Sequence, residues 1–415
     1  MKYLVIVGDG MADYPIEQFG HKTALQFAKT PHFDQLAVEG KLGLVRTIPD
    51  SLPPGSDTAN LSVIGYDPVK YYTGRSPFEA ASLGIDLKPE DVSFRCNLVT
   101  LSADEPYKDK TMIDYCSGEI STEEAAILIE AVKANLGSAS IDFYTGFRYR
   151  HLMVWHNAPD DWQLTPPHDI SGQSIGNYLP QGREEAKLLQ LMELSYSFLS
   201  EHPVNLKRIE KGFNPANSIW IWGDGRKPLI PLFTDKYALT GSVISAVDLI
   251  KGIGIFAGLE PIVVEGATGY IDTNYSGKVE AALESFKQGH DFVYLHIEAP
   301  DECSHRFEAE NKIKAIELID RHVVKVIREK MEQSGLDYSI LLITDHATPL
   351  SLGTHTRDLV PFVIFRSDHR DHNPSRSFDE ISAAETGILI KDGYRLMDIF
   401  LGKANLTAMS ENDRR

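Results

Sequence analysis

The chain has 415 residues, enough for two or three domains with cores of their own, and its 42% hydrophobic and 24% charged content is that of a globular protein. A formal net charge of −18 argues against a nucleic-acid partner, which needs a basic face, but leaves room for a small anion held where Arg, Lys or metal ions reverse the local field. Three scattered cysteines (Cys96, Cys116 and Cys303) make neither a disulfide framework nor a cysteine zinc site. No apolar run is long enough to span a bilayer, and the N-terminus enters a strand pattern at once instead of a signal peptide. A cytoplasmic protein without a membrane partner is expected.

The first predicted strand, Tyr3–Val7, runs into Gly8-Asp9-Gly10 and places Asp9 at the carboxyl end of a buried strand. A helix near Pro31–Glu39 follows, and then Pro53-Pro54-Gly55-Ser56-Asp57-Thr58-Ala59-Asn60, where a helix through about Val63 begins. Ser56 has two readings. It is either an N-cap, the common role of Ser at that place, or a nucleophile at a helix start whose free amides would favour an incoming phosphate. No hydrolase-elbow spacing pairs it with a His, so a metal ion is the expected activator. Arg75 lies in the Gly- and Tyr-rich loop that comes next.

From residue 91 to 213 the texture changes. Ser93–Leu101 and His151–Trp155 alternate as antiparallel strands do, and Glu123–Leu136 and Glu184–Glu201 read as amphipathic helices. This is expected to be an inserted α+β domain. Its basic and His-Asp residues, Arg148, Arg150, His168 and Asp169, are candidates for clamping an anion and moving protons. The flanking segments, 1–90 and 214–415, are expected to form the two parts of one core domain.

After residue 213, strands and helices alternate again: Ser218–Trp222, Ser242–Ala246 with a helix carrying Lys251, Pro261–Val264, a helix over Lys278–Lys287, and the strand Asp291–Ile297. Such succession signals a mostly parallel sheet covered by helices on both faces. Asp301 and His305, four apart just beyond that strand, share one face of a helical turn. The stretch Tyr338–His346 is a short apolar run that ends abruptly in Asp345 and His346 at the tip of a buried strand, and Gly353-Thr354-His355 leads to a last strand, Leu359–Phe365. In open parallel sheets ligands collect beyond the carboxyl ends of the strands. Because neighbouring strand residues face opposite ways, Asp345 and His346 are expected to serve two different centres. Asp9, Ser56, Asp301, His305, Asp345, His346 and His355 nearly all fall at strand ends or helix starts. Oxygen and imidazole donors suit manganese or zinc better than calcium, and such a set suits two-metal phosphoryl transfer.

The chain resembles the archaeal-type branch of the 2,3-bisphosphoglycerate-independent phosphoglycerate mutases, within the alkaline phosphatase superfamily. The matching stretches are Gly8-Asp9-Gly10, GHKTAL (20–25), KTP (29–31), PPGSDTAN (53–60), GYDP (65–68), YYTGRSPFEAASLGI (71–85), APDECSH (299–305) and the TDH…GTHT pattern (344–356). The resemblance implies that Ser56 forms a phosphoserine while moving phosphate between 3- and 2-phosphoglycerate, with no 2,3-bisphosphoglycerate. It implies one divalent ion on Asp9, Ser56, Asp345 and His346 and a second on Asp301, His305 and His355, manganese first, zinc or magnesium otherwise. It also implies substrate contacts from Arg148, Arg150, His168, Asp169 and Lys251, and an inserted domain that closes as a lid. The stretches GDGMAD (8–13) and WIWGDGRKP (220–228) are similar as well to a sub-branch proposed to act as homoserine kinases, so a phosphotransferase of that kind, or a metal-dependent phosphatase, stays open.

Overall fold

The computed structural model describes residues 1–159 and 161–405. The chain divides into two compact units, one formed by Met1–Tyr72 with Leu229–Arg415 and the other by Thr73–Pro228. No helix among the described residues is long and apolar enough to cross a membrane.

The first unit is built on an eight-stranded sheet. Its strands are β1 (Lys2–Gly8), β2 (Lys41–Val45), β3 (Gly241–Ile244), β4 (Glu260–Ile262), β5 (Phe292–Ile297), β6 (Tyr338–Ile343), β7 (Val360–Arg366) and β8 (Leu389–Ile390). They lie in the order β4-β3-β5-β1-β6-β7-β2-β8, and all run the same way except β7, which is antiparallel to both of its neighbours. At the centre, Val5 of β1 sits between Tyr294 of β5 and Leu341 of β6. Every residue of β5 and β6 is buried, as strands covered on both faces must be. Leu4, Ile6, Val293, Leu295, Ile340 and Leu342 face one core, shared with the helices Pro31–Glu39, Tyr275–Lys287 and Ala309–Ile319. Alternate residues face the other way, where the hydroxyl of Tyr294 donates to Asn60 on the helix Ser56–Val63 at 2.6 Å.

The second unit is wider than the insertion expected at 91–213. The strand Val92–Leu101 pairs antiparallel with both Arg150–Trp155 and Ser218–Arg226, while the helix Ser76–Ser82 packs against Val92–Leu101 and Ser218–Arg226. Ser218–Trp222, expected in the parallel core sheet, therefore belongs here. Its apolar alternation suits an antiparallel strand as well as a buried parallel one, and pairing partners decide which. One face of this sheet carries Phe94, Cys96 and Leu98 into a core with the helices Thr122–Leu136 and Glu185–Leu199.

His151 sits opposite Cys96 and is buried. Its Nδ1 accepts the Gly146 amide at 3.0 Å, its Nε2 has no hydrogen-bond partner, and burial pushes its pKa from 6.5 down to about 3. Below 6.5 the unfolded chain takes up a proton that the folded chain refuses, so stability is lost as pH falls from 6.5 towards 3. The slope is about 1.4 kcal/mol per pH unit. All four tryptophans (Trp155, Trp162, Trp220 and Trp222) lie in this unit, so their fluorescence in denaturant titrations follows its unfolding. His151→Leu is expected to flatten the loss between pH 6.5 and 4, a window set by the depressed pKa.

Candidate active site

The topology gathers the chemistry at one edge of the larger sheet. Asp9 follows β1, Asp345 and His346 follow the parallel neighbour β6, and Asp301 lies on the helix Ala299–His305 just past β5, the neighbour on the other side. Because β7 runs opposite to β6, the loop between them starts and ends at that same edge, which brings in His355. Thr47, just beyond β2, donates to the Asp345 carbonyl at 2.5 Å.

Ser56 is the first residue of its helix, and the N-cap is Gly55, in extended backbone with φ −177°. The Ser56 hydroxyl makes no capping bond. Its Oγ lies 3.1 Å from His346 Nε2. One turn on, the Asn60 amide donates to the Ser56 carbonyl and to Asp345 Oδ2, both at 2.8 Å, so the helix start and the β6 tip are tied together.

Two groups of donors converge. Around His346 Nε2 stand Asp9 Oδ1 and Asp345 Oδ2, each at 3.4 Å. Beside them, Asp301 lies 3.1 Å from His305 Nε2 and 3.4 Å from His355 Nε2, and the two histidine nitrogens are 3.0 Å apart. Asp301, His346 and His355 also present donor atoms within 4.8 Å of one another. His346 thus belongs to both groups and Asp345 to the first. The neighbours are not divided one to each group: β6 stops at Ile343, and the strand alternation does not reach residues 345 and 346.

The electrostatics are those of a cation site. The Asp9 carboxyl is driven well above the usual carboxylate range by burial and then by Asp345 and Asp301, and its Oδ1 is buried without a hydrogen-bond partner. Burial also works against an ionised Asp345, but His346 and His296 overcome it and hold the group at about 2. Burial opposes an ionised Asp301 as well, yet His305 and His355 bring it well below the usual range. At His305, burial is outweighed by Asp301 and the value rises to about 9, while burial lowers His346 to about 4. Three crowded carboxylates, an orphaned Asp9 oxygen and inward-facing imidazole nitrogens fit divalent cations with mixed oxygen and nitrogen coordination.

Gly10 makes the crowding feasible. Its φ is +62°, and a Cβ there would come within 2.6 Å of Thr348 Oγ1 and 2.8 Å of Asp301 Oδ1.

A family model for 2,3-bisphosphoglycerate-independent phosphoglycerate mutase matches residues 37–205. A Methanosarcina barkeri protein of that name is 51% identical over 97% of this chain and 99% of its own length. The chain belongs to that family. A solved cofactor-independent phosphoglycerate mutase from Thermoplasma acidophilum is 27% identical, covers 98% of this chain and 100% of its own, and superposes with a TM-score of 0.64. A Pyrococcus horikoshii structure, 29% identical and covering 97% and 98% of the two chains, reaches 0.79.

Several residues that hold this cluster in place were not visible in the sequence. His296, fully buried at the end of β5, places Nε2 3.3 Å from Asp9 Oδ2 and Nδ1 3.4 Å from Glu298, which Lys278 in turn holds at 2.7 Å. An imidazole inside an otherwise apolar strand was the available signal. Asp13 and Lys312 form a second buried ion pair at 2.7 Å, and Thr348 bonds both Asp301 and His346. Of the expected substrate groups, Arg148, Arg150, His168 and Asp169 are in the second unit and Lys251 in the first. Arg148 sits in a turn with φ +53° and pairs with exposed Glu119, and Lys251 pairs with Asp248 at 2.7 Å. His168 packs edge-on against Trp222 and lies 3.6 Å from Asp169. Arg150 pairs across the sheet with Asn97, next to a buried Arg95 that stacks on Trp222 and, with Arg75, shares the single carboxylate of Glu79.

Proposed function

We propose that the chain interconverts 3-phosphoglycerate and 2-phosphoglycerate by passing the phosphoryl group through Ser56. The observation that carries this reading is the Ser56 hydroxyl, which makes no capping bond and lies 3.1 Å from His346 Nε2, itself beside the buried Asp9 and Asp345 carboxylates. Asp9, Ser56, Asp345 and His346 would hold one divalent cation and Asp301, His305 and His355 a second. Manganese is the ion we favour, with zinc or magnesium as alternatives. Bound there, the cations would favour ionised Ser56 and offset charge on the phosphoryl group.

Ser56 Oγ attacks phosphorus as the bond to substrate O3 breaks, and O3 takes up a proton. The glycerate then turns. Its O2 attacks the phosphoserine, the Oγ–P bond breaks, and Ser56 regains its proton, so no 2,3-bisphosphoglycerate is needed. The amides of Ser56 and Asp57, the first two of the helix, would favour the incoming phosphate. For the substrate carboxylate we add Arg75 and Arg95 to Arg150 and His168. Arg75 and Arg95 both pair with the Glu79 carboxylate and Arg150 lies near enough to Arg95 to act on its charge, a gathering of guanidinium groups of the kind that recognises an anion. Lys251, Arg148 and Asp169 are weaker candidates because each has a partner nearby or lies exposed. A soluble phosphorylated substrate of central carbon metabolism suits a cytoplasmic location.

The deciding experiment is conversion of 3-phosphoglycerate by metal-loaded protein, coupled to enolase. ATP consumption that requires homoserine would replace the mutase reading with a kinase, and phosphate release from many esters would replace it with a phosphatase. Asp301→Ala or His355→Ala is expected to reduce bound manganese from two ions towards one by metal analysis. An unchanged count would remove them from the ligand set.

A further inference from the structure

We infer that Thr348 is a positioning residue that couples the two cation subsites through one hydroxyl group, an inference that rests on the two-cation reading above. Thr348 is fully buried, and its Oγ1 lies 2.6 Å from Asp301 Oδ1 and 3.1 Å from His346 Nδ1. Asp301 is a proposed ligand of one subsite and His346 of the other. A hydroxyl carries one proton, and an ionised carboxylate can only accept. The Thr348 proton therefore goes to Asp301, and its oxygen accepts from His346 Nδ1–H.

That assignment fixes the rest of the chain of bonds. With the proton on Nδ1, His346 Nε2 keeps its lone pair and turns it towards Ser56, Asp9 and Asp345. This is the tautomer a metal ligand needs, and the Ser56 hydroxyl donates to the same nitrogen. On the far side, the bond orients Asp301 towards His305 and His355. His305 obtains its own tautomer separately, because its Nδ1 lies 2.8 Å from the Gly353 carbonyl, which can only accept.

Thr348 is itself held from two directions. Lys312 Nζ donates to the Thr348 carbonyl at 2.9 Å, and the Thr348 amide donates to the Ala12 carbonyl at 3.2 Å. The space its hydroxyl uses exists only because residue 10 has no Cβ. A methyl group in place of this hydroxyl would keep the volume, leave Asp301 Oδ1 one donor short and free His346 to take the other tautomer. Both subsites are affected by that single change.

The test is manganese binding to metal-free full-length protein by calorimetry. Wild type is expected to bind two ions. Thr348→Val is expected to weaken both by about 10- to 100-fold, the usual consequence of losing such an outer partner, and Thr348→Ser to stay near wild type. Wild-type affinity for both ions in Thr348→Val, or weakening of only one, would overturn the coupling. Fewer than two ions on wild type would instead overturn the two-cation reading beneath it. A measurement on unaltered, metal-free protein keeps the inference testable even if Thr348→Val does not fold. Nitrogen-15 spectra of labelled histidines, with His346 assigned by its loss in His346→Gln, should show the proton on Nδ1, and a proton on Nε2 would overturn the inference.

Discussion

Ser56→Ala is expected to lower mutase activity by about 10⁴-fold or more, the scale on which removing a covalent nucleophile acts. The fold should survive. Gly55 is the N-cap, the Ser56 side chain makes no capping bond, and alanine is a better helix former than serine. The Asn60 side-chain amide donates to the Ser56 backbone carbonyl, a bond that remains in the variant. Stability is therefore expected to change by less than about 0.5 kcal/mol, the range for substitutions that remove no packing or burial feature. The enolase-coupled assay reads the activity. Intact-mass measurement after acid quenching should find one added phosphate on wild type exposed to 3-phosphoglycerate and none on the variant. Wild-type turnover by Ser56→Ala would end the covalent route and leave direct transfer between substrate hydroxyls.

The core and the clustering of acids and imidazoles were legible in the sequence for one reason: both are set by strands. β5, β6 and β7 appeared as apolar runs within a residue or so of their observed bounds, and the acids and imidazoles at their ends follow from parallel topology. Even the return of His355 to the site was readable, because a loop joining adjacent antiparallel strands begins and ends at one edge. Pairing was less visible. Ser218–Arg226 has the composition of a core strand, but its partner is Val92–Leu101, and the unit boundary moves with it. Side-chain hydrogen bonding was the least visible. Whether Ser56 caps its helix depends on the backbone of Gly55, and whether Thr348 matters depends on two atoms, on Asp301 and His346, that the sequence places 47 and 2 residues away.

Lys312 is the sharpest case of what composition hides, and it carries the second large expected effect. In the helix Ala309–Ile319 it reads as one of several solvated charges, yet it is fully buried. Its Nζ lies 2.7 Å from Asp13 Oδ2, 2.9 Å from the Thr348 carbonyl and 3.4 Å from the Ala12 carbonyl, so it joins the loop after β1 to the loop after β6. Lys312→Met keeps most of the stem but leaves the Asp13 carboxylate without its cation, facing only the amides of Tyr14 and Leu350. Breaking a buried pair from one side costs about 3–5 kcal/mol, whereas replacing both charges with neutral groups costs far less. Lys312→Met alone is therefore expected to lose that much in denaturant unfolding and to weaken manganese binding, because Thr348 loses its anchor. Asp13→Asn combined with Lys312→Met should recover more than half of the lost stability, since no unpaired charge is left buried. It should not recover metal affinity, because the bonds to the Ala12 and Thr348 carbonyls are still missing. Equal stability of the single and double variants would show that the buried charge is not what Lys312 compensates, and recovery of metal affinity in the double variant would show that those two carbonyls need no anchor.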